Sequence, residues 1–407
     1  MTITLTDRPT DRPIVKLRPG KGRRLAEGAP WAFADEIAMD RRTRNLQPGT
    51  LVRLIEGDRP LGVAAFNPAS TIAARLLDPD PEAEIGVEWF TARIRHAQAL
   101  RETLFEAPFY RLIHAEGDGL PAIVADRFGD TLVLQPNAAW AERLREPLAS
   151  ALLEVTGARN LVVNATSRVR RLEGLDEYLR VTDGAVDAPI PVPMNGATYL
   201  ADVTAGQKTG LYFDQRPNHA FAARLAQGSQ AGKRVLDVFT HVGGFALAAL
   251  AAGAESALAV DSSAPALALA EQGAGLTGVA ERFTTRRSDA FDALKALAEE
   301  GARFDIVICD PPSFAPNKGA LANGLRAYQR LARLAAALVA PGGWLVLCSC
   351  SHAADPESFH RANTRGLAGA GRQAALVHSG RAGPDHPSHV ALPETSYLKA
   401  LFYRLDG

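Results

Sequence analysis

Four aspartates and one cysteine stand where this chain could do chemistry. In its second half, apolar runs of β type end, one after another, in groups able to bind or react. The first is followed by Asp237-Val-Phe-Thr-His-Val-Gly-Gly-Phe245, where Gly243 and Gly244 let the backbone approach a ligand closely. The second ends in Val260-Asp261-Ser262, the third in Ser288-Asp289-Ala290-Phe291 and the fourth in Cys309-Asp310-Pro-Pro-Ser-Phe314. A carboxylate just past a strand can accept hydrogen bonds from ribose hydroxyls or a purine amino group, and a ring such as Phe291 can pack beside the base. Each has a plainer reading: Asp261 and Asp289 as helix caps, the glycine pair as a tight turn. Their succession along consecutive strands argues instead for one shared cofactor crevice. The glycines do not form G-x-G-x-x-G, which disfavours a nicotinamide-dependent oxidoreductase.

The fifth run ends in Leu347-Cys-Ser-Cys-Ser351. Only Cys309, Cys348 and Cys350 are present, an odd count with no spaced framework, against a secreted disulfide scaffold. A thiolate can add to an electron-poor ring carbon. Burial as a small hydrophobe is the plainer role for Cys309 and for Cys348, which shares a strand face with Cys350 but lies deeper. His352 follows too closely on the strand end to be read as the partner of Cys350. No histidine, His386 and His389 included, has metal-ligand spacing with cysteine, so no metal is expected.

The elements that must position these groups alternate. Apolar strands at Val235–Phe239, Ala257–Val260, Phe283–Arg286, Ile306–Ile308 and Trp344–Leu347 are separated by Ala/Leu-rich helical stretches. That pattern predicts an α/β fold with a doubly wound, mostly parallel sheet over residues 191–407. Ahead of it, residues 13–82 read as a small β-rich domain, with a hairpin turn at Gly57-Asp58 between Thr50–Ile55 and Leu61–Phe66. Residues 83–190 read as a central α+β domain. It has helices over Val87–Phe105 (Trp89, Phe90, Ile94, Ala97 and Leu100 on one face) and Ala141–Val155, and strands at Ala122–Val124, Thr131–Leu134 and Asn160–Asn164. Asp78-Pro-Asp-Pro-Glu82 reads as a linker, the proline-rich Asp187–Pro193 as a boundary, and residues 1–12 as a disordered lead. There is no solenoid-type repeat.

The chain of 407 residues carries 45 basic and 45 acidic side chains. Charge therefore does not demand a nucleic-acid partner, and any basic surface must be local. One such cluster is Lys16, Arg18, Lys21, Arg23 and Arg24, able to neutralise phosphates or to serve as a solvated arm. Trp31 and Phe33 fit the core of the small β domain better than a base-stacking role. No run is long and uncharged enough to span a membrane, and no signal pattern opens the chain; a cytoplasmic location is expected.

Asp310-Pro-Pro-Ser-Phe314 resembles motif IV of methyltransferases acting on a base. With Gly206-Gln-Lys-Thr-Gly-Leu-Tyr-Phe-Asp-Gln-Arg-Pro-Asn218 the chain resembles the bacterial 23S ribosomal RNA cytosine-5 methyltransferases, built from a PUA domain, a central domain and a class I methyltransferase domain. Glu116-Gly-Asp-Gly-Leu-Pro121 and Arg168-Val-Arg-Arg-Leu-Glu-Gly174 match strings of that family's central domain, so the resemblance covers nearly the whole chain. It implies S-adenosylmethionine as cofactor, ribosomal RNA as partner, 5-methylcytosine as product and a PUA fold for residues 13–82. It implies that the Lys208–Arg216 loop (Lys208, Thr209, Gly210, Tyr212, Phe213, Asp214, Gln215, Arg216) closes over the methionine end of the cofactor. Asp237, Phe239, Thr240, Gly243, Gly244, Phe245, Asp261, Ser262, Asp289, Ala290, Phe291 and Asp310 would line the rest. It also makes Cys350, in its motif VI, the nucleophile, with Asp310 hydrogen-bonding the cytosine. The chain departs from the family at His241-Val242, where a Tyr-Thr pair is usual. Some other RNA cytosine-5 methyltransferases carry a second, product-releasing cysteine within motif IV; here Pro312 or Ser313 stands there. A nitrogen methyltransferase forming 7-methylguanine or N-methyladenine, or an idle RNA-binding protein, are the alternatives. The oligomeric state is not legible, and a homodimer is compatible.

Overall fold

Thr50–Glu56 and Arg59–Phe66 pair antiparallel across Gly57-Asp58, with Gly57 in the left-handed region (φ 59°). They lie at the centre of a five-stranded sheet in the order Ile14–Lys16, Thr50–Glu56, Arg59–Phe66, Ala74–Asp78, Trp31–Ala32. Val15, Val52, Leu54 and Phe66 form its core. The computed structural model describes residues 9–186, 189–205, 210–227 and 232–406. Residues 1–8 of the expected lead lie outside that range, but Pro9–Asp11 make a 3-10 turn and Arg12 is buried.

A second five-stranded sheet follows, in the order Tyr178–Asp183, Asn160–Ala165, Thr131–Pro136, Ile123–Phe128, Phe109–His114. The helix Val87–Leu104 buries Trp89, Phe90, Ile94, Ala97 and Arg101; Leu100, expected on that face, is exposed. The Arg101 guanidinium is held by Asp118 at 2.6 and 2.8 Å. The single helix expected over Ala141–Val155 is two, Ala139–Arg143 and Arg145–Thr156. Pro147 explains the break: lacking an N–H, it cannot continue the ladder, yet it is tolerated in a first turn.

The run Asp78–Glu82 is not a loose linker. The Asp78 carboxylate accepts from Trp89 Nε1 at 2.9 Å and from Arg93 at 2.8 Å, while Arg12 donates to the Pro81 and Ala83 carbonyls at 3.2 and 2.6 Å. Val63, Ala65 and Leu77 share one core cluster with Trp89, Phe90 and Tyr110. The two sheets therefore belong to one compact unit, which also takes residues 203–205 and Pro384–Pro393. Asp385 accepts there from the Arg111 amide at 3.0 Å and its carbonyl from Arg101 at 2.8 Å.

The second unit begins at Pro189, within the proline-rich run expected as a boundary. Ile190–Met194 and Ala197–Ala201 form a hairpin around Asn195-Gly196, both left-handed (φ 55° and 78°). Then comes helix α1 (Arg216–Ala226). Strands β1 (Arg234–Val238), β2 (Ser256–Asp261), β3 (Phe283–Arg287), β4 (Phe304–Cys309) and β5 (Val339–Ser349) alternate with helices α2 (Gly244–Ala251), α3 (Ala264–Thr277), α4 (Ala290–Glu299) and α5 (Leu321–Ala336). Helix α6 (Pro356–Gly369), β6 (Ala374–Gly380) and β7 (Lys399–Leu405) close the unit. The sheet order is β3-β2-β1-β4-β5-β7-β6, parallel through β5, with β7 antiparallel to both neighbours. Continuous apolar strands suit a sheet covered on both faces. The order reverses between β1 and β4, so the carboxyl ends of those strands flank the crevice where such sheets take ligands.

Candidate active site

Asp237, near the end of β1, is wholly buried. Its Oδ2 accepts from Thr240 Oγ1 at 2.6 Å and from the Ala246 amide at 3.0 Å, which ties the loop to the first turn of α2. Its Oδ1 has no hydrogen-bond partner among the described residues, and burial pushes the carboxyl up to about 6. Phe239 and His241 hold left-handed backbone (φ 64° and 53°), as does Gly243 (φ 86°). Non-glycine residues in that region are strained, and such strain gathers at ligand sites. A Cβ on Gly244 would lie 2.7 Å from the His219 ring. Tyr199 donates to the Gly244 carbonyl at 3.1 Å, and His219 meets the Phe245 ring at 4.4 Å. Burial holds His219 down to about 3, so it is neutral.

At the end of β2, Asp261 accepts from the His241 amide and the Ser263 amide, both at 2.9 Å. Ser263, not Asp261, caps α3. The departure at His241-Val242 thus leaves a backbone contact in place; Ser262, beside it, is exposed. Asp289 does cap its helix, accepting from the Phe291 and Asp292 amides at 2.9 and 3.2 Å, with Ala290 buried behind it. Phe291, Phe239 and Phe314 gather, with ring centroids 6.1 Å (Phe291–Phe314) and 6.4 Å (Phe239–Phe314) apart.

The loop before α1 enters the same crevice. Lys208 and Thr209 lie outside the described residues. Gly210 is left-handed (φ 98°), and a Cβ there would meet the Asp202 carbonyl at 2.8 Å. Phe213–Gln215 form a 3-10 turn into α1, with Arg216 over the Phe213 ring. Asp214 accepts from Tyr397 at 2.6 Å, and its carbonyl from the Gly383 amide at 2.9 Å. Gln215 donates to Asp310 Oδ2 at 2.9 Å and accepts from Asn218 at 2.6 Å, fixing which way the motif IV carboxylate faces. The half-buried Tyr212 hydroxyl is pushed up by desolvation and by Asp214, Asp310, Cys350 and Asp261 together. One phenol thus feels both the carboxylates of the cofactor series and the candidate nucleophile.

Cys309 and Cys348 are buried, and burial raises both thiols; Cys350 is half-exposed just past β5. Its neighbours are pinned. Ser349 donates to the Tyr328 hydroxyl at 2.9 Å, while Ser351 Oγ meets Tyr328 at 2.7 Å and Ser313 at 2.9 Å and accepts from the Ala315 amide at 3.1 Å. His352 sits with Nδ1 3.4 Å from the Glu394 carbonyl, beside Tyr397. Sequence reasoning missed Tyr328 and Lys399. The signal for Lys399 was a lone cation inside the apolar run Leu398-Lys-Ala-Leu-Phe-Tyr403; it is buried, donating to the Ser351 and Ala354 carbonyls. Among the described residues no group of three or more His, Cys, Asp or Glu is placed to hold a metal ion, and no helix is long and apolar enough to cross a membrane.

Lys16, Arg18, Lys21, Arg23 and Arg24 are all exposed in the first unit. Arg18 donates to the Ile37 carbonyl, Arg23 pairs with Glu27 at 2.8 Å, and Arg24 lies 3.7 Å from Glu36. Trp31 and Phe33, expected in the core, are half-buried. Trp31 Nε1 donates to Glu116 at 2.9 Å and Arg24 covers the Phe33 ring, so neither ring belongs to the core of the first sheet.

The crevice suits a nucleoside sulfonium: a buried carboxylate oxygen without a partner, a strained glycine loop and acceptors at successive strand ends. Comparison with known proteins agrees. Residues 168–404 match the S-adenosylmethionine-dependent methyltransferase family, and residues 15–79 a PUA-like domain. The chain is 35% identical over 399 residues to the Ribosomal RNA large subunit methyltransferase I of Erwinia tasmaniensis, covering 96% of this chain and 98% of that protein. It is 36% identical over 398 residues to the protein of the same name from Shewanella denitrificans, covering 96% and 99%. A solved candidate SAM-dependent methyltransferase from Streptococcus mutans shares the fold (TM-score 0.80, 19% identity, 96% of this chain and 100% of that one). With its crevice, its family match and relatives alike from end to end, the chain belongs to the S-adenosylmethionine-dependent methyltransferase family, with a PUA-like domain at its N-terminal side.

Proposed function

We propose that the protein methylates carbon-5 of a cytosine in 23S ribosomal RNA through a covalent bond to Cys350. The ribosomal substrate is supported by relatives named Ribosomal RNA large subunit methyltransferase I. The cytosine is supported by one observation above all: a half-exposed cysteine stands past β5 beside Ser351, whose Oγ lies 2.9 Å from the Ser313 hydroxyl of the Asp310 motif past β4. Asp261 would hold S-adenosylmethionine at its ribose, with Asp237, Gly243 and Gly244 at the loop, and the bound cofactor would supply an electrophilic methyl group. Carbon-5 of cytosine is too weak a nucleophile unless sulfur first bonds to carbon-6. Cys350 forms that bond, carbon-5 gains an electron pair and uses it to take the methyl group as the methyl–sulfonium bond breaks to leave a neutral thioether, and the Cys350 sulfur leaves once a base takes the carbon-5 proton. Asp310, oriented by Gln215, hydrogen-bonds the ring nitrogen and exocyclic amine where charge grows.

The base must leave its helix to reach such a crevice, and exposed Lys16–Arg24 is the proposed phosphate-binding surface. Mass spectrometry of 23S nucleosides from cells with and without the gene tests the reading. Loss of one 5-methylcytidine supports it. Loss of a nitrogen-methylated purine instead would assign the Asp310-Pro-Pro-Ser313 motif to nitrogen chemistry.

A further inference from the structure

Ser349 and Lys399 face each other across the antiparallel β5–β7 pair, which delivers the lysine to the turn that carries Cys350. Nζ donates to the Ser351 carbonyl at 2.7 Å and to the Ala354 carbonyl at 2.8 Å. An ammonium has three protons; two are used, and the third has no hydrogen-bond partner among the described residues. Carbonyl dipoles do not neutralise a buried cation, and such a cation persists only with a counter-charge near it. Among the described residues the acidic groups that act on it are the Cys350 thiol and Asp355. Asp355 keeps its charge but lies exposed at the start of α6, with its carboxylate turned to the Ser358 amide and hydroxyl, both at 2.8 Å.

We infer that Lys399 is the positioning residue that holds Cys350 as a thiolate and fixes the turn from which its sulfur attacks. The inference rests on the nucleophilic role proposed for Cys350. The thiol proton goes to solvent, and the ammonium keeps its own three protons beside the resulting anion. Other groups around the sulfur oppose or are neutral. Asp310 at the end of β4 disfavours the anion, Tyr212 before α1 and Tyr328 on α5 are kept protonated by burial, and burial also favours neutral His352. Lys399 is a cation hydrogen-bonded directly to this turn. Burial pushes it down to about 8, so the ion pair spans neutral pH and is lost as pH rises past that value.

The test is the pH dependence of iodoacetamide alkylation of the full chain, read at Cys350 by peptide mass spectrometry, with buried Cys309 and Cys348 as internal controls. In the native protein the midpoint should fall at least about one unit below the ordinary thiol value of roughly 8.5. Lys399→Met should raise that midpoint by about one unit or more, slowing alkylation roughly tenfold at pH 7, and Lys399→Arg should restore it. A native midpoint at or above the ordinary value, or one that Lys399→Met leaves in place, overturns the inference. If Lys399→Met does not fold, the native and Lys399→Arg midpoints decide alone: both depressed supports the pair, either one ordinary overturns it. A Cys350→Ala protein that still forms 5-methylcytosine would sink the nucleophile reading instead, while the alkylation midpoint still judges the pair.

Discussion

Three thiols on or just past two neighbouring strands meet two environments, and position along the strand sets the difference. Cys309 and Cys348 point into the sheet, where burial raises their thiols and keeps them inert; two residues beyond Cys348, past the last strand residue, Cys350 reaches the crevice. Replacing Cys309 or Cys348 with alanine should cost about 1 kcal/mol of stability each by denaturant melts, with S-adenosylmethionine binding intact. Loss of binding with no loss of stability would place those thiols in the site. Cysteine spacing on a strand is readable from sequence because side chains alternate, and motif IV carries its own signal in Asp310-Pro-Pro. Lys399 stood out only as a lone cation in an apolar run, with nothing to connect it to Cys350. Its partners are backbone carbonyls 48 and 45 residues away along the chain, which leave no trace in residue type.

At the scale of elements, the loop after β1 is tied to the end of β2 by the Phe239 and Thr240 amides, which donate to the Val260 carbonyl at 2.9 and 3.1 Å, and by the His241 amide, which donates to Asp261 at 2.9 Å. Asp261→Ala removes the last of these ties together with the proposed bonds to ribose hydroxyls. Charge-assisted bonds contribute about 1.5–3 kcal/mol each, so calorimetric titration should show affinity for S-adenosylmethionine at least about tenfold weaker; unchanged affinity would mean that the ribose sits elsewhere. The alternation of apolar strands with Ala-rich helices made the central sheet legible, because strands buried on both faces write a continuous apolar run. The breaks were less so. Pro147 sits inside a helical pattern that it divides, and Leu100 was given a face that Arg101 takes, because a cation matched by Asp118 can replace an apolar side chain in a core. The Asn195-Gly196 hairpin had a clear turn signal, but the prolines ahead of it read as a domain boundary.

For the whole molecule, the two units carry different tests. In the first, burial, helped by the nearby His386, Arg111 and Arg101, holds His114 down to about 2. The unfolded chain takes up that proton near 6.5 and the folded one does not. The stability is therefore full above about 6.5 and is lost as pH falls, by about 2 kcal/mol at pH 5. Melts of wild type and His114→Gln should converge as pH falls from 7.5 to 5; parallel curves would mean that His114 titrates normally. The same unit carries the exposed Lys16–Arg24 cluster, whose reading as an RNA contact rests on charge and exposure alone. Lys21→Ala, Arg23→Ala and Arg24→Ala together should flatten the salt dependence of RNA binding by roughly 0.7 logarithmic units per lost contact and leave cofactor affinity unchanged. A slope equal to wild type would make the segment a solubilising arm.

The central claim, a covalent bond between Cys350 and carbon-6 of a cytosine, is tested most directly by trapping it. Fluorine at carbon-5 cannot leave as a proton does, so the sulfur stays bonded after methyl transfer. The measurement takes 23S RNA transcribed with 5-fluorocytidine triphosphate and incubates it with the protein and S-adenosylmethionine, then seeks a denaturant-resistant adduct by gel and peptide mass spectrometry. The account predicts one adduct, on the peptide containing Cys350, absent without cofactor and absent in Cys350→Ala. No adduct on an RNA whose unsubstituted form the same preparation methylates, or an adduct on another residue, would contradict it.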